Sequence, residues 1–403
     1  MQKKRKIIIL LGDGMGDYQA SELGGRTPLQ VANIQAIRSI AGAGKTCMVK
    51  TVPDGMQPGS DVANMSLMGF NPALYYNGRA PIEAAGAGIE LSENDVAFRC
   101  NLITVINSII TDHSAGHIST DEASLIIETL NKNLFASNEN NKKIYVSSGY
   151  RHLLIWKNAP YKNLITIPPH DVLGQEVELN LPRGEGAEEI IALMEASKPI
   201  LAAHPVNRER SKKGKNPATQ IWLWGQGKKT NLPSYKKMYN LEGNVISAVD
   251  LVHGIGRLAG LGSIKVKGAT GFIDTNYEGK VNAAIETLKT KDFVFLHIEA
   301  PDECSHMGDL RLKIRAIEDF DSRVVKPILQ WLENQSAPYR LIIATDHRTP
   351  VSVRNHTAES VPMAVLDGPC GHFSKESAFD EYLDSGVASN FAFDTLNQLL
   401  SER

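Results

Sequence analysis

Apolar residues along this chain fall into two patterns, short unbroken runs and spaced stripes, and the two predict different elements. Residues 6–11 (KIIILL), 293–298 (FVFLHI) and 341–345 (LIIAT) are nearly continuous apolar runs rich in β-branched types. Such runs predict strands buried on both faces, as in a parallel sheet covered by helices. By contrast, Val31, Ile34, Ile37 and Ile40 recur at helical spacing, as do Ile314, Ile317, Phe320, Val324, Ile328 and Leu332. The first stripe predicts a helix opened by Thr27-Pro28 and stopped by Gly42 and Gly44. The second predicts a long amphipathic helix over 310–332, kinked at Pro327.

Shorter signals fill the rest. Ser119 and Glu122 form a capping-box pair, which predicts a helix over 120–134. Further helices are expected at 188–194 and 281–288. Strands are expected at 49–52, 96–104, 143–148, 151–156, 221–224 and 363–366, with a short one just before Asp274. The stretch from about 145 to 262 mixes strands and helices of its own between the first and last long strands, so it reads as an insertion. The predicted division is a core built from 1–110 and 268–403, with an inserted domain at 111–267.

The three long runs share a second property. Each delivers metal-type ligands just past its carboxyl end: Asp13 after the first, Asp302 and His306 after the second, Asp346 and His347 after the third. Asp302 and His306, four positions apart, share one face if their segment turns helical. In an open α/β sheet the ligand crevice lies at that edge. The ordinary alternative makes Asp302 a helix cap and His306 a surface residue, but three such strands together favour a metal site. His356, in a polar loop ten positions past Asp346, is a further donor. Carboxylates with imidazoles suit manganese, zinc or iron better than magnesium alone.

Ser60 follows Pro58-Gly59 and opens a helix-like run over 62–68. Locally it reads as an N-cap, and it becomes a nucleophile candidate only if a metal lowers its pKa. Ser66 is the other serine of that run. The glycines around Asp13 match neither a dinucleotide fingerprint nor a P-loop. Arg99, charged within a strand, points to an anion partner or to a sheet edge. Arg151 stands at a turn where it too can meet an anion.

Composition narrows the class. The chain has 403 residues, 42% of them hydrophobic, and a formal net charge of -2. That is ample for large cores, and it gives no reason to expect nucleic acid or an anionic membrane as partner. Four scattered cysteines without a CxxC pair fit a reducing cytoplasm. The apolar run behind the basic N-terminus is too short for a signal peptide, and no stretch approaches the ~20 residues that span a bilayer.

The motifs GDGMGD (12–17), PGSD (58–61), EAPDECSH (299–306), ATDH (344–347) and NHT (355–357) together resemble the alkaline phosphatase superfamily. More closely, they resemble cofactor-independent phosphoglycerate mutases of the shorter, archaeal-type branch. TPL (27–29), YYNGRAPIEAAGAG (75–88), DVAFRCN (95–101), GATG (268–271) and DTNYEGK (274–280) extend the resemblance over essentially the whole chain. It implies an α/β fold: an alkaline-phosphatase-like core with a mostly parallel sheet flanked by helices, plus a smaller inserted α+β domain that helps enclose the substrate. It also implies two divalent metals, one held by Asp302, His306 and His356, the other by Asp13, Ser60, Asp346 and His347. Manganese is the expected ion, with zinc, cobalt or magnesium as alternatives. Ser60 would be the nucleophile and form a phosphoserine. Asp112, His113, His117, Arg99, Arg151 and Lys280 would contact a small phosphorylated substrate.

The chain also departs from that branch. Its members typically read DRRAGR where this chain has DHSAGH (112–117), SDTAH where Asn64 stands, and LRG where it has Leu223-Trp224-Gly225. A subset with these features has been proposed to act as homoserine kinases. The expected reaction is therefore isomerisation of 3-phosphoglycerate and 2-phosphoglycerate. The alternative is phosphotransfer to another small hydroxy compound such as homoserine, against which the missing P-loop counts. A silent binding protein that keeps the metal site is a third reading, disfavoured because all seven ligand positions are present.

Overall fold

The computed structural model describes residues 5–135, 141–160, 163–370, 376–383 and 390–402. The chain forms two compact units, one of residues 1–76 with 231–403 and the other of residues 77–230. The predicted boundaries, 110/111 and 267/268, lie elsewhere because strand pairing divides the chain differently. The strand Val96–Ile106 takes partners within the second unit, and Gly243–Ser247 pairs within the first.

The first unit is built on an eight-stranded sheet. In chain order its strands are β1 (Lys6–Gly12), β2 (Lys45–Lys50), β8 (Gly243–Ser247), β9 (Gly262–Lys265), β10 (Phe293–Ile298), β11 (Tyr339–Ala344), β12 (Val361–Gly368) and β13 (Asn390–Phe391); β3 to β7 belong to the second unit. Across the sheet the order is β13-β2-β12-β11-β1-β10-β8-β9. Pairing is parallel except on the two sides of β12. The two continuous apolar runs in β10 and β11 are buried at every position, and Ile8 to Leu11 of β1 are wholly inaccessible. Unbroken burial is what a strand covered by helices on both faces requires. The expected mostly parallel sheet flanked by helices is thus the observed architecture. Its order sets β11, β1 and β10 side by side, so their three carboxyl ends open at one edge.

Local predictions in this unit hold with adjustments, among them the strand expected at 49–52, which runs earlier, over Lys45–Lys50. The stripe opened by Thr27 folds as two short helices, Pro28–Val31 and Gln35–Ala43. The long amphipathic stripe forms helices over Leu310–Phe320 and Lys326–Glu333, joined by a π-helical turn at Asp321–Val325. The irregularity sits before Pro327 because a proline clashes with the carbonyl four residues back, and the wider turn takes up that misfit. Finally, 268–274 is a turn-rich loop, and the short strand expected there lies earlier, at β9.

The second unit is an antiparallel sheet with helices. It contains β3 (Val96–Ile106), β4 (Ile109–Asp112), β5 (Lys142–Tyr145), β6 (Arg151–Trp156) and β7 (Gln220–Lys228). β3 is paired by β6 on one side and β7 on the other. The predicted hairpin of β5 and β6 is present. The helix Thr120–Leu134 starts at the Ser119–Glu122 capping box. The helix predicted at 188–194 runs further, from Ala187 to Ala203, because Ile190, Met194, Ser197 and Leu201 keep one face buried past Pro199.

Candidate active site

The carboxyl ends of β11, β1 and β10 bring the predicted donors together. β1 ends at Gly12 and the chain turns through Gly14, whose φ is +61°. A side chain there would meet Asp302 Oδ1 at 2.6 Å and Thr349 Oγ1 at 2.7 Å, so only glycine lets the turn sit this close to the β10 end. Gly14 N–H and His347 N–H both donate to Asp346 Oδ1, at 3.0 and 2.9 Å. Asn64 Nδ2 donates to Asp346 Oδ2 at 3.0 Å. Asp302 and His306 share a face of the helix Ala300–His306, as their spacing predicts.

Two groups of donors result. Donor atoms of Asp13, Asp346 and His347 lie within 4.8 Å of one another, and so do those of Asp302, His347 and His356. His347 therefore stands between the groups, whereas the resemblance had placed it in one. His306 joins the Asp302 side. Its Nε2 lies 3.1 Å from Asp302 Oδ2 and 3.0 Å from His356 Nε2. His306 Nδ1 faces the Arg354 carbonyl oxygen at 2.9 Å, which orients the ring.

The residues fit divalent cations. Asp13 Oδ1 is buried without a hydrogen-bond partner, 3.6 Å from His347 Nε2. Burial, reinforced by Asp346, Asp302 and Glu299, pushes the Asp13 pKa well above the carboxylate range. Burial and Asp302 push Asp346 up to about 6. Burial keeps His347 well below its ordinary value and hence a neutral donor. Burial opposes the Asp302 charge and the His306 charge alike. His356 and His306 outweigh it at Asp302, holding that carboxyl well below its usual range, and Asp302 with the Arg354 carbonyl holds His306 up at about 9. Crowded carboxylates beside imidazole nitrogens are a donor set that a divalent cation neutralises.

Ser60 is placed differently from the local expectation. Gly59, not Ser60, occupies the N-cap of the helix Ser60–Leu67, and the cap makes no side-chain hydrogen bond. Ser60 Oγ instead lies 3.3 Å from His347 Nε2. Ser66 is buried and donates to the Thr51 carbonyl oxygen at 2.5 Å.

The remaining candidates divide between the units. Lys280 is fully buried, and its Nζ donates to the His297 carbonyl oxygen at 3.1 Å. Burial lowers its pKa to about 8, with Glu299 opposing. The other candidates lie in the second unit. Arg99 sits on interior strand β3, so the sheet-edge explanation of its charge does not apply. Its guanidinium lies 3.2 Å from Glu83 Oε2 and 4.6 Å from the Trp224 ring. Arg79 holds the other Glu83 oxygen at 2.8 Å. Arg151 packs over Tyr150, and His113 meets the same ring at 5.5 Å. His117 is exposed at a φ of 47°. Asp112 spends both oxygens on neighbours, accepting from Ser114 and Gly116 of its own loop and from Asn216 Nδ2. Burial resists its charge, but these bonds lower its pKa to about 2.

Sequence reasoning missed three neighbours of the site. Thr349 Oγ1 donates to Asp302 Oδ1 at 2.6 Å. Asn64 links Asp346 to the Ser60 helix. His297, fully buried, meets Asp13 Oδ2 at 2.9 Å. For His297 the available signal was a polar ring inside an otherwise apolar run.

Known proteins resemble this chain over nearly its whole length. The family model described as 2,3-bisphosphoglycerate-independent phosphoglycerate mutase matches residues 41–207. A protein of that name from Methanosarcina mazei is 50% identical over 376 residues, 93% of this chain and 94% of that one. A probable enzyme of the same name from Geobacter sulfurreducens is 47% identical over 380 residues, again 93% and 94%. Among solved structures, a Pyrococcus horikoshii protein superposes with a TM-score of 0.81 at 28% identity, covering 100% of this chain and 99% of that one. The cofactor-independent phosphoglycerate mutase of Thermoplasma acidophilum shares the fold, with a TM-score of 0.61 at 24% identity and coverage of 99% and 100%.

Proposed function

Because this chain belongs to the family of 2,3-bisphosphoglycerate-independent phosphoglycerate mutases, we propose that it interconverts 3-phosphoglycerate and 2-phosphoglycerate through a phosphoserine at Ser60. The observation that carries this reading is the Ser60 hydroxyl, which leaves the helix cap to Gly59 and faces the donor cluster at His347. A hydroxyl held beside cation ligands rather than spent on a cap is available for attack on phosphorus.

The reaction balances without a second substrate. Ser60 Oγ forms a bond to phosphorus as the bond to the substrate's O3 breaks, and O3 takes up a proton. The glycerate then presents O2, which attacks the phosphoserine and returns Ser60 to its hydroxyl. Such transfers need in-line positioning and charge stabilisation more than acid–base strength. Asp13, Asp346 and His347 would hold one divalent ion with Ser60, and Asp302, His306 and His356 the other. When bound, such ions supply charge stabilisation for the phosphoryl oxygens and a lowered pKa for the attacking hydroxyl. We assign manganese, which suits mixed carboxylate and imidazole donors. The first-turn amides of the Ser60 helix favour the phosphoryl group's negative charge. Gly14 and Asn64 hold Asp346, and Arg354 orients His306, so these ligands are fixed before substrate arrives.

We assign the second unit a substrate-enclosing role. Arg99 and Arg151 are its candidates for the substrate's anionic groups, with His113 and His117 as further candidates in the same unit, while Lys280 is a candidate of the first unit. Asp112 enters this proposal only as the residue that shapes the loop carrying the two histidines. The homoserine-kinase reading is not favoured, since relatives near 50% identity over 93% of the chain carry the mutase name. The test assays manganese-loaded protein on 3-phosphoglycerate, and in parallel on homoserine with ATP. Turnover of the first alone supports the assignment; turnover of the second alone overturns it.

A further inference from the structure

We propose that His297 is a positioning residue for Asp13: it occupies one carboxylate oxygen and leaves the other as the single oxygen offered to the metal. The proposal rests on the reading of Asp13 as a metal ligand. His297 Nε2 lies 2.9 Å from Asp13 Oδ2, while Oδ1 has no hydrogen-bond partner and faces His347 Nε2 at 3.6 Å. A free carboxylate can rotate and present either oxygen, or both. With Oδ2 committed to a buried ring, only Oδ1 remains for the cation.

The ring is itself held by a directed chain of hydrogen bonds. An ionised Asp13 can only accept, so His297 Nε2 carries the proton and its Nδ1 accepts. Ser247 Oγ, 3.1 Å from that Nδ1, is then the donor. The same Oγ accepts from Val249 N–H at 3.1 Å, which leaves its own proton free to point at His297. Behind it, the Ser247 carbonyl oxygen lies 3.0 Å from His253 Nε2, so that nitrogen donates. His253 Nδ1 then accepts from Ser263 Oγ at 2.8 Å. Every donor and acceptor along Asp13, His297, Ser247, His253 and Ser263 has one consistent direction. Lys280 Nζ, bonded to the His297 carbonyl oxygen, pins the backbone at the same point. The relay runs from the end of β1 through β10 and β8, then through His253 of the helix Asp250–Leu258, to edge strand β9. It therefore couples a ligand's orientation to packing on the far side of the sheet. Outer partners that fix a ligand's orientation typically contribute 10–100-fold to metal affinity.

The test is manganese titration calorimetry with electron paramagnetic resonance of the bound ion. It uses the full chain as wild type, His297→Leu, His297→Gln, Ser247→Ala, Asp13→Ala and Asp302→Ala. Asp13→Ala and Asp302→Ala mark which binding step belongs to which donor group. His297→Leu should weaken the Asp13 step by about 10–100-fold and leave the Asp302 step unchanged. His297→Gln, whose amide can donate from a similar position, should recover most of that loss. Ser247→Ala should show a smaller loss at the same step, and it keeps the test alive should His297→Leu fail to fold. Unchanged affinity at the Asp13 step in both His297→Leu and Ser247→Ala, or in Ser247→Ala alone should His297→Leu fail to fold, overturns the positioning role. Equal weakening of both steps overturns it too, since it marks a general packing role. If Asp13→Ala itself leaves both steps intact, the ligand reading of Asp13 fails and this proposal falls with it. That outcome is told apart by the Asp13 variant alone.

Discussion

Asn64 Nδ2 lies 3.0 Å from Asp346 Oδ2, and the same amide nitrogen donates to the Ser60 carbonyl oxygen at 2.9 Å. One side chain thereby ties the helix that carries Ser60 to the end of β11. Asn64 is where the archaeal-type pattern usually has histidine, and here its amide holds the two elements in register.

Removing that amide should loosen both. Asn64→Ala is expected to lower manganese affinity and turnover by about 10–100-fold, the usual cost of losing an outer partner of a metal ligand. Asn64→Gln should not restore it, because the longer side chain misplaces the nitrogen. Titration calorimetry beside steady-state kinetics decides it, and wild-type affinity in Asn64→Ala would refute the tie.

Ser60→Ala separates chemistry from stability. Loss of a capping side chain costs about 0.5–2 kcal/mol. Ser60 makes no cap bond, so the variant should unfold in urea within a few tenths of a kcal/mol of wild type, the range of changes away from special features. Turnover should fall on the order of 10⁶-fold, as when a nucleophile is removed outright. Mass spectrometry of wild type quenched with substrate should find phosphate on Ser60 and none on Ser66. Turnover near wild type in the alanine variant would end the phosphoserine mechanism.

Arg99 is a stability prediction as well as a binding one. Its buried ion pair with Glu83 makes truncation expensive, and Arg99→Met should cost about 3–5 kcal/mol because Glu83 loses a partner in a water-poor site. Adding Glu83→Gln should return part of that loss, since the two residues are directly coupled. Equilibrium unfolding of the single and double variants provides the cycle, and strictly additive losses would mean that the pair is not coupled.

The stabilisation conferred by manganese should depend on pH. The folded-state pKa of Asp346 is raised to about 6 from an ordinary value of 3.8. The unfolded chain ionises above 3.8 while the folded carboxyl keeps its proton, so the metal-free fold loses about 1.4 kcal/mol for each pH unit between 3.8 and about 6. Through about 6 the folded carboxyl ionises too, against burial and against Asp302, and the loss levels off at about 3 kcal/mol, roughly half of it falling between pH 5 and pH 7. A bound cation removes that cost. The stabilisation between chelated and manganese-loaded protein should therefore grow by about 1.4 kcal/mol from pH 5 to pH 7. Urea unfolding across that range measures it; a difference independent of pH would rule out carboxylate crowding as its source.

Much of this protein is legible before it folds. The apolar runs of β1, β10 and β11 declare buried strands because only a strand covered on both faces carries no polar position. The donors beyond them, Asp13, Asp302 and Asp346, are adjacent in sequence to the strands that deliver them. Capping at Ser119 and the β5–β6 hairpin are likewise local and readable. What lay beyond sequence is everything that depends on which strands are neighbours. The order β11-β1-β10 makes three distant loops one site, and no residue pattern states that order. Ser60 reads locally as a cap, and only the approach of His347 from 287 residues away gives its hydroxyl another partner. Arg99 could stand at an edge until β6 and β7 are seen on both sides of β3. His297 reads as one more strand residue until β1 and β10 pair and set its ring against Asp13. Local chemistry decides what each segment is. Long-range hydrogen bonds between strands decide which segments meet, and with them which oxygen of a carboxylate is left to bind.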